Sequence, residues 1–329
     1  MRPANSLLGD LIEAGAVGLV IVELSAGEHP PADLGGPGIV RLGLHRSGVV
    51  PTEGLDAFDI LLSAEPDAPA PWVSAADLDA AIQRLQWVVD RQPVAAAVAA
   101  QVHRMTLNLT FEQSLTLESL GYSMLLASES LRAWRAATPV RRREDDDGPR
   151  VSVARSAEGI AIRLTRPKAR NAVDARMRDA LVAALEAAAV EPDAPVILSG
   201  DGPSFSAGGD LDEFGSADDP GRAHAIRVLR SATGCVARIA PRVTARLHGA
   251  CVGAGIEIPA AAGRVLARPG AFFRLPEVAM GLIPGAGGTA SIPRRIGRNR
   301  ACWMAVSGAD LDVATAVRWG LVDAVDESP

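Results

Sequence analysis

The chain has 329 residues, a formal net charge of −6, 48% hydrophobic and 22% charged residues. That length accommodates one large or two ordinary domains with ample core, and the composition excludes a disordered chain. The acidic balance gives no concentrated basic face for nucleic acid, and no apolar run reaches the ~18–20 residues that a membrane-spanning helix needs.

Near the start, Asp10 stands where a secretory signal would keep its apolar stretch, so a cytoplasmic location is expected. Residues 1–72 hold short apolar runs, Val17-Gly-Leu-Val-Ile-Val-Glu-Leu24 and Ile39-Val-Arg-Leu-Gly-Leu44, between Pro- and Gly-rich turns. They predict the strands of a small α/β segment to which no role is assigned. Residues 73–140 predict helices. Ser74 is the expected N-cap of the first, which carries Leu78, Ile82, Leu85 and Val89 at helical spacing. A second is expected from about Pro93 to Leu109, a third from Glu112 to Leu126, and a short one over Leu131 to Ala136. Residues 141–150 read as a solvated linker: Arg141-Arg-Arg143 runs straight into Glu144-Asp-Asp-Asp147, then Gly148 and Pro149.

From 151 to 329 strands and helices alternate. Val151-Ser-Val-Ala154 and Gly159-Ile-Ala-Ile-Arg-Leu164 predict a hairpin, and Asp174 to Val190 an alanine-rich helix. A buried strand over 195–199, a helix over 222–239 and a strand from Val243 to His248 follow. This repetition implies an α/β fold with a mainly parallel sheet. Cys235, Cys251 and Cys302 match no disulfide or metal spacing and are expected to be buried thiols.

Three glycine-rich frames carry the chemistry. In Ser204-Phe-Ser-Ala-Gly-Gly-Asp-Leu211 small residues leave backbone N–H groups uncovered, with a helix able to start near Asp210. Alone it would be an ordinary strand-to-helix turn. The second frame, His248-Gly-Ala-Cys-Val-Gly-Ala-Gly-Ile-Glu257, repeats the design, with a helix expected through Ile256 to Ala262. Two such turns can aim two N–H donors at one carbonyl oxygen, an oxyanion hole. The third, Leu275-Pro-Glu-Val-Ala-Met-Gly-Leu-Ile-Pro-Gly-Ala-Gly-Gly-Thr289, places Glu277 20 positions after Glu257. Paired carboxylates beside uncovered backbone point to acid/base work on a ligand held by main-chain N–H groups.

These frames, in this order, resemble the enoyl-CoA hydratase/isomerase (crotonase) superfamily over residues 151–326. Arg166-Pro-Lys-Ala-Arg-Asn-Ala172 resembles the family's first loop, and Ala316-Val-Arg-Trp-Gly-Leu-Val-Asp323 its closing segment. The resemblance implies a spiral core of ββα units, with oxyanion donors at Gly209 and Ala254 and acid/base residues at Glu257 and Glu277. It places Gly285 near the reacting water or acyl group. Lys168, Ala169, Ala207, Gly208, Asp210 and Leu211 would flank the CoA moiety, with Arg170 a further candidate cation. Several hydratases carry lysine two residues past the aspartate; here Asp212 stands there. The implied activity is hydration of a 2-enoyl-CoA, with a CoA thioester as substrate and no cofactor or metal. An isomerase or another enolate-forming enzyme is the alternative within the fold, and a non-catalytic subunit the alternative outside it. A homo-oligomer, trimer or hexamer, is implied, with neither nucleic acid nor membrane as partner.

A hydrolase is disfavoured: Ser206 has no triad, and His248 reads as a strand-end residue packing beneath the turn. Gly285-Ala-Gly-Gly288 lacks the spacing of a dinucleotide loop. Phe214, Phe272 and Trp303 are candidate acyl-pocket residues. The family usually continues for about 60 residues past its closing segment, in helices that cover the site. Residues 75–137 resemble that missing tail, so a permuted gene or a decayed tandem is implied. Either predicts that 75–137 docks on the 151–329 core.

Overall fold

The computed structural model describes residues 17–27, 30–140 and 147–327. Asp10 and most of the charged run beginning at Arg141 lie outside them.

The first strands are β1 (Gly18–Glu23), β2 (Ile39–His45), β3 (Ile60–Ser63) and β4 (Val73–Ser74), an all-parallel sheet in that order. Nearly every residue of β2 and β3 is buried. One face (Leu42, Leu44, Ile60, Leu62) joins the main core, and Leu61 joins a smaller cluster with Phe58 and Trp72. A parallel sheet covered on both sides reads as a continuous apolar run, as these strands do.

Four helices follow: α1 (Leu78–Arg91), α2 (Pro93–Thr106), α3 (Phe111–Leu126) and α4 (Glu129–Ala137). Asp77, not Ser74, caps α1 by accepting from Ala80 N–H at 2.9 Å. Ser74 ends β4 and instead accepts from Ala68 N–H. The second helix stops at Thr106, three residues short of Leu109, because a capping box of Thr110 and Gln113 starts α3.

The remainder forms a six-stranded sheet and a three-stranded one. The larger comprises β5 (Val151–Ser156), β6 (Gly159–Leu164), β7 (Val196–Gly200), β8 (Val243–Leu247), β10 (Arg264–Ala267) and β13 (Ala324–Val325). Its order is β13-β10-β8-β7-β6-β5, parallel throughout except for the β5–β6 hairpin. The smaller contains β9 (Ala250–Val252), β11 (Phe272–Arg274) and β12 (Leu311–Asp312) in the order β12-β11-β9. The helices here are α5 (Ala175–Ala189), α6 (Pro220–Leu229), α7 (Ala232–Arg238), α8 (Ala254–Glu257), α9 (Gly288–Ile296), α10 (Arg298–Ser307) and α11 (Val313–Trp319). The helix expected over 222–239 is two, because Ser231 caps a new helix by accepting from Gly234 N–H. The one expected through Ala262 is the single turn α8, then a 3-10 turn at Pro259–Ala261, since Pro259 lacks an N–H to continue. No helix starts at Asp210; the chain turns instead through 211–215.

Helix α2 docks on α9 and α10, α3 docks on α9, and β3 packs on α10. Arg84 Nε donates to the Ser307 carbonyl at 2.6 Å, and Thr106 Oγ1 to the Thr289 carbonyl at 2.7 Å. Asn299 Nδ2 donates to the Phe58 carbonyl (2.8 Å) and Arg300 Nε to that of Trp72 (2.9 Å). One apolar core runs through all of these elements, including Leu44, Val98, Ile292 and Met304. No helix among the described residues is long and apolar enough to cross a membrane.

Candidate active site

The loop before α5 sets the site's first wall. Arg170 and Asn171 both take the left-handed conformation (φ 51° and 52°). Three donor contacts from Asn171 Nδ2, to the carbonyls of Asp201, Ser204 and Phe205, hold it there. The Arg166 guanidinium then pairs with Asp210 at 2.6 Å and lies 3.4 Å from Asp174. The Asp210 carboxylate is thus occupied within the protein, although the residue borders the cavity.

The two glycine turns run side by side. Ser206 N–H donates to the Ala250 carbonyl and Val252 N–H to that of Ser206. Gly208 has φ +92°, and a Cβ there would lie 2.6 Å from the Val252 carbonyl oxygen. Gly253 has φ +50°, and a Cβ there would lie 2.4 Å from Glu277 Oε1 and 3.7 Å from Glu257 Oε1. Only glycine allows both the backbone conformation and this approach of two carboxylates. Among the described residues, neither Gly209 N–H nor Ala254 N–H has a protein acceptor. Both border one cavity of about 610 Å³, as do Glu257, Glu277 and Gly285.

Both carboxylates are buried, Glu257 at 2% and Glu277 at 6% exposure. Glu257 Oε2 accepts from Ala286 N–H (2.8 Å) and Gly288 N–H (2.9 Å). Burial pushes its carboxyl up to about 7, against those donors and the positive charge of Arg227. Glu277 is held well above the usual carboxylate range, first by burial and then by the charge of Glu257. Its Oε2 is buried and has no hydrogen-bond partner. Different surroundings therefore favour a neutral Glu277 beside a Glu257 that ionises near neutrality, the division of labour an acid/base pair needs.

Helix α3 closes the opposite wall with Leu115, Glu118, Tyr122 and Leu126. Glu118 is 2% exposed; its Oε1 accepts from Gly287 N–H (2.7 Å), its Oε2 from Thr289 N–H and Oγ1 (2.8 Å each). Burial and then the charge of Glu257 push it up to about 8, against those three donors. Arg227 of α6 lies 4.2 Å over the Tyr122 ring and donates to Ser119 and Ser123 Oγ. None of these α3 side chains was singled out from sequence. The available signal was polar spacing: Ser114, Glu118, Ser119 and Ser123 form the buried side of α3, while Leu120 and Met124 face outward.

Lys168, Ala169, Ala207, Gly208 and Leu211 do not border the cavity. Lys168 and Arg170 are exposed on the neighbouring loop. Ala207 N–H donates to the Arg170 carbonyl, and the Leu211 carbonyl accepts from Arg135 of α4. Of the three aromatic candidates only Phe214 borders it. Trp303 packs edge-on against Trp319 at 5.7 Å, and Phe272 lies in β11 beneath Arg274. Ser206 Oγ donates to the Asn171 carbonyl, and His248 Nε2 contacts that of Gly202 at 2.9 Å, so both are structural.

The family model described as enoyl-CoA hydratase/isomerase matches residues 155–328, just over half of the chain. The chain belongs to the enoyl-CoA hydratase/isomerase family. It is 33% identical over 174 residues to the 2,3-dehydroadipyl-CoA hydratase of Escherichia coli (strain K12), covering 53% of this chain and 68% of that one. It is 34% identical over 187 residues to the cyclohexa-1,5-dienecarbonyl-CoA hydratase of Thauera aromatica, covering 55% and 68%. The solved enoyl-CoA hydratase of Thermoplasma volcanium GSS1 superimposes with a TM-score of 0.51 at 30% identity, over 55% of this chain and 73% of that one. The family match begins after α1–α4, so the wall formed by α3 lies outside it.

Proposed function

We propose that the cavity binds the thioester of a 2-unsaturated acid with CoA and adds water across its C2–C3 double bond. The observation that carries this reading is the convergence of two acceptorless N–H groups and two unequal carboxylates on one cavity. Gly209 and Ala254 would donate to the thioester oxygen and stabilise the enolate that develops there; one such donor typically contributes about 2.7–4 kcal/mol. Ionised Glu257 takes a proton from water as the water oxygen bonds to C3. Neutral Glu277 delivers its proton to C2, giving a 3-hydroxyacyl-CoA with no cofactor consumed. The two hydratases named above support hydration over double-bond migration.

The test is turnover of crotonyl-CoA and a longer 2-enoyl-CoA, followed by loss of the conjugated thioester absorbance, in wild type, Glu257→Gln and Glu277→Gln. Turnover lost in both variants supports the two-glutamate hydratase. Binding of CoA esters without hydration by wild type would redirect the reading to isomerisation. Neither binding nor turnover would redirect it to a non-catalytic subunit.

A further inference from the structure

Four successive N–H groups in the turn entering α9 alternate between two carboxylates. Those of Ala286 and Gly288 point to Glu257, while those of Gly287 and Thr289 point to Glu118. Gly287 is left-handed (φ 105°, ψ 6°) and α9 begins at Gly288, so the four N–H groups sit in one short bent segment, and holding two of them constrains the other two. We infer that Glu118 is a positioning residue for the reaction: it clamps the 286–289 turn from the α3 side so that the other side presents its donors to Glu257.

Three features carry this inference. Both oxygens of Glu118 are occupied, by two backbone N–H groups and one hydroxyl. A further hydroxyl, that of Thr106 in α2, holds the Thr289 carbonyl at 2.7 Å, so the turn is tied to the α2–α3 pair at both polar ends. The same turn carries the Gly285 backbone that borders the cavity. Glu118 itself touches no reacting atom in this scheme. It sets the direction of the N–H groups that hold the Glu257 carboxylate, and through them the distance from that carboxylate to the attacking water.

An amide at position 118 is a poor substitute, because both carboxylate oxygens accept from N–H groups. One end of a glutamine would set donor against donor. Aspartate keeps two acceptor oxygens but is one methylene shorter.

The inference rests on the hydratase reading, and the experiment separates the two. Full-length wild type, Glu118→Gln and Glu118→Asp are compared in crotonyl-CoA hydration, thermal unfolding and amide hydrogen exchange. Glu118→Gln is expected to lower kcat about tenfold to a hundredfold with KM within about threefold, as an ångström-scale misplacement does. Exchange should accelerate at residues 286–289, and Glu118→Asp should retain more kcat than Glu118→Gln. Wild-type kcat in Glu118→Gln overturns the inference, as does a kcat loss no larger than the loss of folded protein. If wild type hydrates no enoyl-CoA, the functional reading fails and exchange alone decides. Acceleration confined to 286–289 then sustains the clamp, and unchanged protection overturns it.

Discussion

The edge of the Tyr122 ring lies directly over the Gly285 Cα. A Cβ at position 285 would come within 2.3 Å of Tyr122 Cδ2 and 3.0 Å of Cγ. Atoms so close to the root of a ring cannot swing away as a chain terminus can. Gly285→Ala should therefore displace the ring or the turn, destabilising by about 1–3 kcal/mol. The check is a double-mutant cycle with Tyr122→Ala, read by thermal unfolding. Removing the ring should relieve most of the cost, whereas additive losses would dissociate the glycine from the tyrosine.

Activity should depend on pH as a bell. Glu257 must be ionised to accept a proton from water, so kcat/KM should rise with pH through about 7. Glu277 must be protonated, so kcat/KM should fall again at higher pH, where its strongly raised carboxyl loses its proton. Glu118, raised to about 8, lies beside Glu257, so the limbs belong to coupled groups rather than to single residues. A pH profile that is flat from 5 to about 7 would contradict the assignment of Glu257 as base.

The same shifts make a stability prediction of opposite sign to that of most carboxylates. Glu118, Glu257 and Glu277 all hold their protons more tightly in the folded chain than in the unfolded one. Their favourable contribution is complete below the ordinary carboxylate pKa of about 4.3, and it is lost as pH rises through the raised values. Glu277→Gln, a neutral side chain of the same shape, should thus leave the melting temperature almost unchanged at acidic pH and raise it under mildly alkaline conditions. Melting curves of both proteins at two pH values check this. An equal difference at both would dissociate Glu277 from the pH dependence.

A fragment of residues 151–329 should be insoluble or inactive by itself. Without α1–α4, the apolar sides of α9 and α10 lose their cover, and the N–H groups of Gly287 and Thr289 lose their acceptor. Expression with and without a separately produced 17–140 segment tests this. Full hydratase activity from the shorter fragment alone would show that the α3 wall is dispensable.

The glycine frames were legible because their constraint is local. A left-handed glycine such as Gly253, followed at fixed distance by Glu257, leaves a mark within a few residues. The parallel strands were legible for a similar reason, since continuous apolar runs such as that of β3 have few other uses. Glu118 left no such mark. Its partners are 169 and 171 residues away, and helical spacing alone gives a buried glutamate the same pattern as a solvated one. The start of α1 is ambiguous in the sequence because Ser74 and Asp77 are both good caps. The choice fell to Asp77 once Ser74 was committed to β4 and to Ala68. The six CoA-flanking assignments rest on resemblance alone, and of those residues only Asp210 borders the cavity.

The contacts that join α1–α4 and the first sheet to the rest span long stretches of chain: 171 residues from Glu118 to Thr289, 223 from Arg84 to Ser307, and 241 from Phe58 to Asn299. High contact order slows folding, because loop closure must come before these pairings can reward it. During synthesis, at about 5–20 residues per second, α2 and α3 would emerge roughly ten seconds or more before α9 and α10. Through that interval the surfaces of α2 and β3 that pack on α10 have no lasting partner. This chain should therefore need chaperone protection on the ribosome, and the site should be among the last parts of the molecule to take shape.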